Sequence, residues 1–270
     1  MSELNWNPAE VADFYDGASA LADKYFGGYQ RQGYWYDDND DASLEVGAER
    51  LTRKIVDTLG LRRGESLLDA GCGSGTASID IAGAYGVEVT GITISPVEAA
   101  KARARAATSD VSGQVRFETG DYHSLSFPEN HFDAIVAFES LFNAFDLEKA
   151  LAEFYRVLRP GGRVAMSEIS KTTDVSPLKK PFPLAREPMT AESWIKAFES
   201  AGFVVEERIQ SRRVYVNTGK RHTEHFEKVS GLLTEEFGAE MTEGIRQGMR
   251  EAFHLGPEDV TYLILCARKQ

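Results

Sequence analysis

Leu67-Leu68-Asp69-Ala70-Gly71-Cys72-Gly73-Ser74-Gly75-Thr76 reads as a buried strand that runs through a glycine-rich turn into a helix. The apolar pair Leu67–Leu68 ends in Asp69, glycines follow at 71, 73 and 75, and Ala77, Ile79, Ile81 and Ala82 open the helix. Glycines at this spacing let the backbone turn sharply and let a ligand lie directly on it, because no Cβ intrudes. A dinucleotide turn needs G-x-G-x-x-G/A, with the pyrophosphate on the helix N-terminus. The third position of that pattern is Thr76 here, neither Gly nor Ala, and the spacing present is G-x-G-x-G with an acid two residues ahead of it. A strand-tip acid beside bare backbone suits a ligand that carries an ammonium and a ribose but no phosphate. A tight strand–helix turn without any ligand is the other reading, and the rest of the chain must decide between them.

Composition narrows the classes. The chain has 270 residues, 42% hydrophobic and 27% charged, which supports one large α/β domain or a core with a small cap. A net charge of −12 argues against DNA or RNA as a partner, since phosphate binding needs a basic face. The apolar runs are short and interrupted by charges, so no membrane span is expected. Met1–Asn5 has neither the basic nor the apolar region of a secretory signal. The two cysteines, Cys72 and Cys266, make neither a disulfide framework nor a metal site and read as small buried fillers in a reducing cytoplasm.

Working outward, residues 8–26 have helical spacing. Gly33-Tyr34-Trp35-Tyr36 then lies in an aromatic loop, followed by the acidic run 37–41. The aromatics either pack a short N-terminal segment onto the core or form a lid, in which Tyr34 shields a bound cation. Residues 43–60 form an amphipathic helix, and 87–94 a second strand. Ser95-Pro96-Val97-Glu98 reads as a capping box. Val115–Thr119 is a third strand, with Gly120-Asp121-Tyr122 after it; an Asp there is by itself a turn residue. Phe132–Phe138 is a fourth strand, and Asp146 caps a helix over 147–158. Arg159–Gly162 is a turn into a fifth strand, Arg163–Glu168. Residues 171–189 read as loop, 190–201 as helix, 203–210 as strand, 221–253 as one or two helices broken near Gly238, and 260–267 as a last strand.

The order of these motifs resembles that of class I S-adenosylmethionine (SAM) methyltransferases over roughly residues 27–170. Within them the chain is similar to small-molecule enzymes of bacterial secondary metabolism, of the rebeccamycin sugar O-methyltransferase and demethylrifamycin methyltransferase type, through Gly33-Tyr34-Trp35, Gly91-Ile92-Thr93-Ile94-Ser95 and Glu139-Ser140-Leu141. The resemblance implies a Rossmann-like, seven-stranded, mostly parallel sheet with helices on both faces and an antiparallel last strand. An N-terminal helical lid would occupy 1–60, the SAM-binding core 61–170, and the remainder with a helical substrate cap at about 212–256 would follow. It implies SAM as cofactor, bound by Tyr34, Asp69, Gly71, Gly73, Thr93, Ile94, Glu98, Asp121, Tyr122 and Phe138. Glu98 would reach the ribose in place of the acid usually found at the second strand's tip, although capping alone also explains it. Asp121 would accept from the adenine amino group.

The relatives carry a His pair after the fourth strand where this chain has Phe142 and Asn143. Their base therefore does not transfer, and Glu168, at the end of the fifth strand, becomes the best-placed proton acceptor; Asn143, at one of the two His positions, is the second catalytic candidate. Partial burial would raise the Glu168 pKa and improve it as a base. The alternative role for Glu168 is a hydrogen-bonding strut. The implied activity is methylation of a hydrophobic small molecule of the antibiotic type, with O-methylation preferred. The rivals are C-methylation of an isoprenoid or aromatic carbon, and a SAM-fold cyclase or binding protein that transfers no methyl. The basic clusters 179–186 and 208–221 are either a solvated face or a grip for an anionic substrate. His222 and His225, at i and i+3, lack a third ligand for a metal. Oligomeric state is left open, a homodimer included.

Overall fold

In the computed structural model, residues 11–12, 15–16, 24–25, 31–37, 39–172, 187–253 and 258–270 are described. Their elements are α1 (Leu44–Asp57), β1 (Ser66–Ala70), α2 (Thr76–Tyr85), β2 (Glu88–Thr93), α3 (Pro96–Ala107), β3 (Val115–Thr119), β4 (Phe132–Phe138), α4 (Leu147–Val157), β5 (Leu158–Lys171), α5 (Ala191–Ser200), β6 (Phe203–Ser211), α6 (Arg212–Ala252) and β7 (Val260–Lys269). The strands form one sheet in the order β3-β2-β1-β4-β5-β7-β6. β1 to β5 pair in parallel, and β7 inserts antiparallel between β5 and β6.

Side chains alternate across a strand, so β1 feeds two cores. Leu67 joins Leu51, Ile55, Ile81 and Ala102 of α1, α2 and α3. Leu68 and Ala70 join Leu151, Phe154, Trp194 and Phe198 of α4 and α5 on the opposite face. Near-continuous burial along β1, β4 and β7 follows from helices covering both faces. The strand order reverses beside β1, where β2 and β4 flank it; ligands of open α/β sheets bind outside the carboxyl ends of the strands at such a point.

Two sequence expectations change. The turn expected at Arg159–Gly162 is a bulge inside a longer β5: the register with β4 jumps from Phe132↔Leu158 to Ala134↔Arg163, and Gly161 takes φ 75°. The cap helix begins at Arg212, directly after β6, and not at 221. It breaks where the glycine spacing indicates, at Gly238 (φ 82°, ψ 164°), a conformation that costs glycine least. Only parts of the expected first helix and of the 171–189 loop fall within the described residues. Residues 11–12, 15–16 and 24–25 are helical. The cluster 179–186 lies outside them. No helix among the described residues is long and apolar enough to cross a membrane.

Trp35 resolves the aromatic loop toward packing. It is 1% exposed, donates its indole N–H to the Ala42 carbonyl at 2.9 Å, and fills the space over two glycines. A Cβ on Gly33 or Gly47 would lie 2.5 or 2.6 Å from the indole. Gly47→Ala, within α1, is therefore expected to destabilise the fold by about 1–3 kcal/mol through overpacking, against the gain from helix propensity. Gly231→Ala, in α6 with nothing within 4 Å of its Cβ position, is expected to stabilise by up to about 1 kcal/mol. Urea denaturation of both variants checks the opposite signs.

Candidate active site

The glycine turn is held from three sides. The amides of Gly71 and Cys72 both donate to the Ile92 carbonyl at 2.9 Å, folding the turn toward β2. Ser140, just past β4, donates its hydroxyl to the Ala70 carbonyl at 2.6 Å. Gly71 sits at φ 94°, and a Cβ there would lie 2.5 Å from the Ser140 Cβ, so both conformation and space require glycine. From α3, Arg105 Nη1 donates to the Ser74 carbonyl (2.7 Å), the Ser74 hydroxyl (2.8 Å) and Thr76 Oγ1 (2.7 Å).

Two acids border this turn. Asp69 is fully buried; its Oδ2 accepts from the Ser78 hydroxyl at 2.6 Å. Its Oδ1 has no hydrogen-bond partner among the described residues. Burial pushes the Asp69 pKa up to about 6, against the pull of Ser78 and of the Arg31 charge. Glu98 is buried at the start of α3. Ser95 caps the helix as expected, its hydroxyl accepting from the Glu98 amide at 2.9 Å. The Glu98 side chain does not complete the capping box. The Ser95 amide goes to Thr93 Oγ1 at 3.3 Å, and Glu98 Oε2 accepts from Thr93 Oγ1 at 2.8 Å. Its other oxygen lies 3.7 Å from where a Gly73 Cβ would stand. Thr93, Glu98 and the glycine turn are thus one cluster, with half-buried Ile94 beside it.

After β3, Asp121 Oδ1 accepts from the amide of His123 at 2.8 Å and from its Nδ1 at 2.6 Å. Burial acts to raise the Asp121 pKa, but these bonds from His123 outweigh it and hold the carboxyl below its usual value. These bonds are those of the turn residue that the sequence indicates. Tyr122 is half-buried and donates to the Ser140 carbonyl at 2.9 Å, while its ring meets Phe154 of the core.

The third group lies past β4 and β5. Glu139 takes φ 48°, an uncommon conformation for a residue with a Cβ. Its Oε1 accepts from the Gln32 amide at 2.9 Å and from the Tyr262 hydroxyl of β7 at 2.8 Å. Burial pushes its pKa up to about 7, opposed by these two bonds and by Arg31. Glu168 is 2% exposed, and its Oε1 accepts from the Phe142 amide at 3.0 Å. That bond seats the turn Leu141–Asn143. Asn143 donates to the Tyr15 phenol oxygen at 2.9 Å. Burial raises the Tyr15 pKa, Asn143 acts to lower it, and the charges of Glu98, Glu168 and Glu139 raise it further. The two expected catalytic residues therefore meet at one turn, Glu168 through the Phe142 amide and Asn143 as part of it.

A strap, residues 31–36, runs between this edge and α6. Tyr34 donates its amide to the Gly47 carbonyl at 2.8 Å; its ring meets Tyr36 edge-on at 5.6 Å and the Lys54 ammonium at 5.2 Å. Arg31 and Gln32 reach the end of β4, the guanidinium over the Phe138 ring and the Gln32 amide on Glu139. Gly33 donates to Thr218 Oγ1 at 3.0 Å. Arg213 donates to the Tyr36 carbonyl at 2.7 Å, and Arg221 to the Asp40 carbonyl and Glu224. Arg208 pairs with Glu192. Arg213 and Arg221 thus hold the strap backbone, while Arg208 pairs with Glu192 on the exposed face that the sequence reading allows. His225 Nε2 binds the Tyr25 carbonyl at 2.6 Å. His222 stacks on Phe253, and burial, helped by His225, drives its pKa down to about 4. No group of three metal-ligating side chains occurs among the described residues. Both cysteines are buried and free.

Comparison with known proteins fits this arrangement. Residues 67–162, from β1 to the β5 bulge, match the family model described as a methyltransferase domain. An O-methyltransferase of Aspergillus nomiae is 38% identical over 160 residues, covering 59% of this chain and 71% of the relative. The 27-O-demethylrifamycin SV methyltransferase of Amycolatopsis mediterranei is 40% identical over 161 residues, covering 60% of this chain and 58% of that enzyme. In several of its relatives the matched region spans about three-fifths of their length, 59% and 61% in two fungal O-methyltransferases. Among solved structures, the [4+2]-cyclase SpnF superposes with a TM-score of 0.86 over 98% of this chain and 96% of its own, at 29% identity. The chain belongs to the class I SAM-dependent methyltransferases, and SAM is the cofactor of that family. Its residues fit that molecule: the unpartnered Asp69 Oδ1 can accept from an ammonium, and at Gly73 the bare backbone leaves open space beside a Glu98 carboxylate oxygen that a Cβ would enter.

Arg31, Tyr15, Glu139 and Tyr262 carry no site role in the sequence reading. Glu139 was legible in part, as an acid placed after a strand just as Asp69 is. A positive φ leaves no mark in composition. Because the Glu139 pKa rises from 4.5 to about 7 on folding, the folded state holds the extra proton between those values, and stability falls as pH rises through that window. In Glu139→Gln the urea midpoint is expected to fall less steeply from pH 4.5 to 7 than in wild type.

Proposed function

We propose that this protein transfers the methyl group of SAM to a hydroxyl of a hydrophobic secondary-metabolite-type small molecule. The observation that supports the proposal is the hydrogen bond by which Glu168 of β5 seats the turn that carries Asn143, past the same C-terminal edge of the sheet at which β1 runs into the glycine turn. The named O-methyltransferases among its relatives support the reaction class. Asp69, Gly71, Gly73, Thr93, Ile94 and Glu98 would hold the donor's amino-acid and ribose parts. Asp121, Tyr122 and Phe138 would border the adenine, with Tyr34 contributing through the strap. When bound, SAM supplies an electrophilic methyl on a sulfonium.

The chain's own contribution is position and proton removal. Phe142 and Asn143 would orient the acceptor, with α6 as the cap that excludes water, which is where most of the rate arises in a direct displacement. The Glu168 carboxylate would take the hydroxyl proton as the new O–C bond forms. The N-terminal helical segment is the lid and α6 the cap. Two buried free thiols and the acidic surface fit a reducing cytoplasm.

A second reading has a specific observation behind it: the full-length match to a cyclase, together with Phe142–Asn143 in place of a basic His pair. In that reading the donor is held without transfer. In the 208–221 cluster, Arg213 and Arg221 already serve the strap, which gives no support to a diphosphate grip by those two.

Methyl-labelled SAM incubated with a panel of hydroxylated polyketides is expected to give labelled product. Glu168→Gln is expected to lower the rate by about 10²–10⁴ while leaving S-adenosylhomocysteine affinity within twofold. Cofactor binding with no transfer to any acceptor favours the second reading. Absence of binding to either nucleoside rejects both.

A further inference from the structure

We propose that His123 is a positioning residue for the donor's nucleobase: it holds one oxygen of the Asp121 carboxylate so that the other is left to accept from the adenine amino group. This inference rests on the SAM-binding reading above and adds to it a residue that touches no part of the donor itself.

An ionised carboxylate offers two lone-pair sites on each oxygen. Both sites of Asp121 Oδ1 are taken by one residue, by the His123 amide at 2.8 Å and by His123 Nδ1 at 2.6 Å. Oδ2 enters no hydrogen bond among the described residues. The two side chains differ in access: the imidazole is 2% exposed and the carboxylate 36%. The acid therefore keeps an open side that the ring does not cover. Against the upward push of burial, the bonds from His123 keep the carboxyl below its usual pKa, so it remains an acceptor at neutral pH.

The turn itself does not ask for a histidine. An Asp side chain that accepts from the amide two residues on makes a turn that any residue but proline completes. The second bond exists only because residue 123 carries an imidazole, and that ring is itself fixed. Its Nε2 accepts from the amide of Asp146, the N-cap of α4, at 3.5 Å. With Nε2 accepting, the network assigns the ring proton to Nδ1, facing Asp121. The rings of Tyr122 and Phe145 lie against it, 4.8 and 3.8 Å away between centroids. Two donors that converge on one oxygen hold the carboxylate in one orientation, where the turn bond alone would let its two oxygens exchange. A fixed acceptor reads a donor, so the pair selects a base with an amino group over one with a carbonyl in its place.

The competing role is a core histidine that packs and steadies the turn and no more. Isothermal titration with S-adenosylhomocysteine and with S-inosylhomocysteine, in which a carbonyl replaces the amino group, separates the two. Wild type is expected to prefer the adenine ligand by about tenfold or more. His123→Phe keeps an aromatic ring between Tyr122 and Phe145 but has no donor. It is expected to lose about fivefold toward the adenine ligand and under about twofold toward the inosine one. His123→Asn gives up the stack but sets an amide N–H where Nδ1 stands, and is expected to keep the wild-type preference within about threefold. A role in packing alone makes the opposite forecast, since the stack survives in the first variant and the donor in the second. His123→Phe discriminating as wild type does, or His123→Asn discriminating no better than His123→Phe, overturns the proposal. Should His123→Phe not fold, His123→Asn decides alone, and loss of its preference is then the overturning result. In Asp121→Ala the acceptor is gone, so adding His123→Phe is expected to change neither affinity; a further loss toward the adenine ligand alone also overturns the proposal. If wild type binds neither ligand, the SAM-binding reading itself fails. If it binds both equally, that reading stands and the assignment of His123 fails.

Discussion

The Glu139 carboxylate joins parts of the molecule that are far apart in sequence. One oxygen accepts from Gln32 of the strap and from Tyr262 of the last strand, while its backbone amide holds the Ser167 carbonyl of β5 at 2.9 Å. The positive φ of Glu139 is what lets one residue end β4, bond to β5 and turn its side chain toward the strap. Such a conformation costs of order 1–3 kcal/mol and persists only where the surroundings over-determine it. Here three partners do so. The raised pKa is the electrostatic face of the same constraint, since two hydrogen bonds and one distant guanidinium do not fully repay the water lost.

This constraint explains why the site is acid-rich. Carboxylates at the C-terminal ends of parallel strands are expensive to bury, and a fold that retains Asp69, Glu98, Glu139 and Glu168 there keeps a negative potential where a cation is to bind. Some of those oxygens are satisfied internally, by Ser78, Thr93, the Phe142 amide and Tyr262. Asp69 Oδ1 is not. The internal bonds fix the geometry, and the unsatisfied atom keeps capacity for a ligand. Preorganisation of this kind is how polar sites avoid reorganisation when the ligand arrives.

How far the sequence reached follows from what local pattern can encode. β1, β3 and β4 were legible to the residue, because apolar strands end at glycine, proline or acid. The Gly238 break and the Ser95 cap were legible for the same reason. The β5 bulge was not: Pro160-Gly161-Gly162 signals a turn, and only pairing with Phe132 and Ala134 reveals that the strand resumes on both sides. The role of Glu98 was half legible, since a capping box predicts the amide bond of Ser95 but cannot tell that Thr93 takes the returning bond. Tyr15, Arg31 and Tyr262 were invisible as site residues. They come from the two ends of the chain, and their role exists only through tertiary contacts with Asn143, Phe138 and Glu139.

The strap carries this logic to the substrate side. Its amides alternate between partners, Gln32 to the core, Gly33 to α6 and Tyr34 to α1. Extended backbone presents successive N–H groups in opposite directions, so a short segment can bond to elements on both sides of itself. Thr218 accepts from Gly33 while donating its own hydroxyl to the Val214 carbonyl one turn earlier in α6 at 2.7 Å, and Arg213 and Arg221 close the remaining carbonyls at 36 and 40. The cap helix is therefore anchored at its base through the same few residues that reach the glycine-turn edge. That physical connection ties Glu139, just past β4, to the base of α6 through two consecutive amides of the strap.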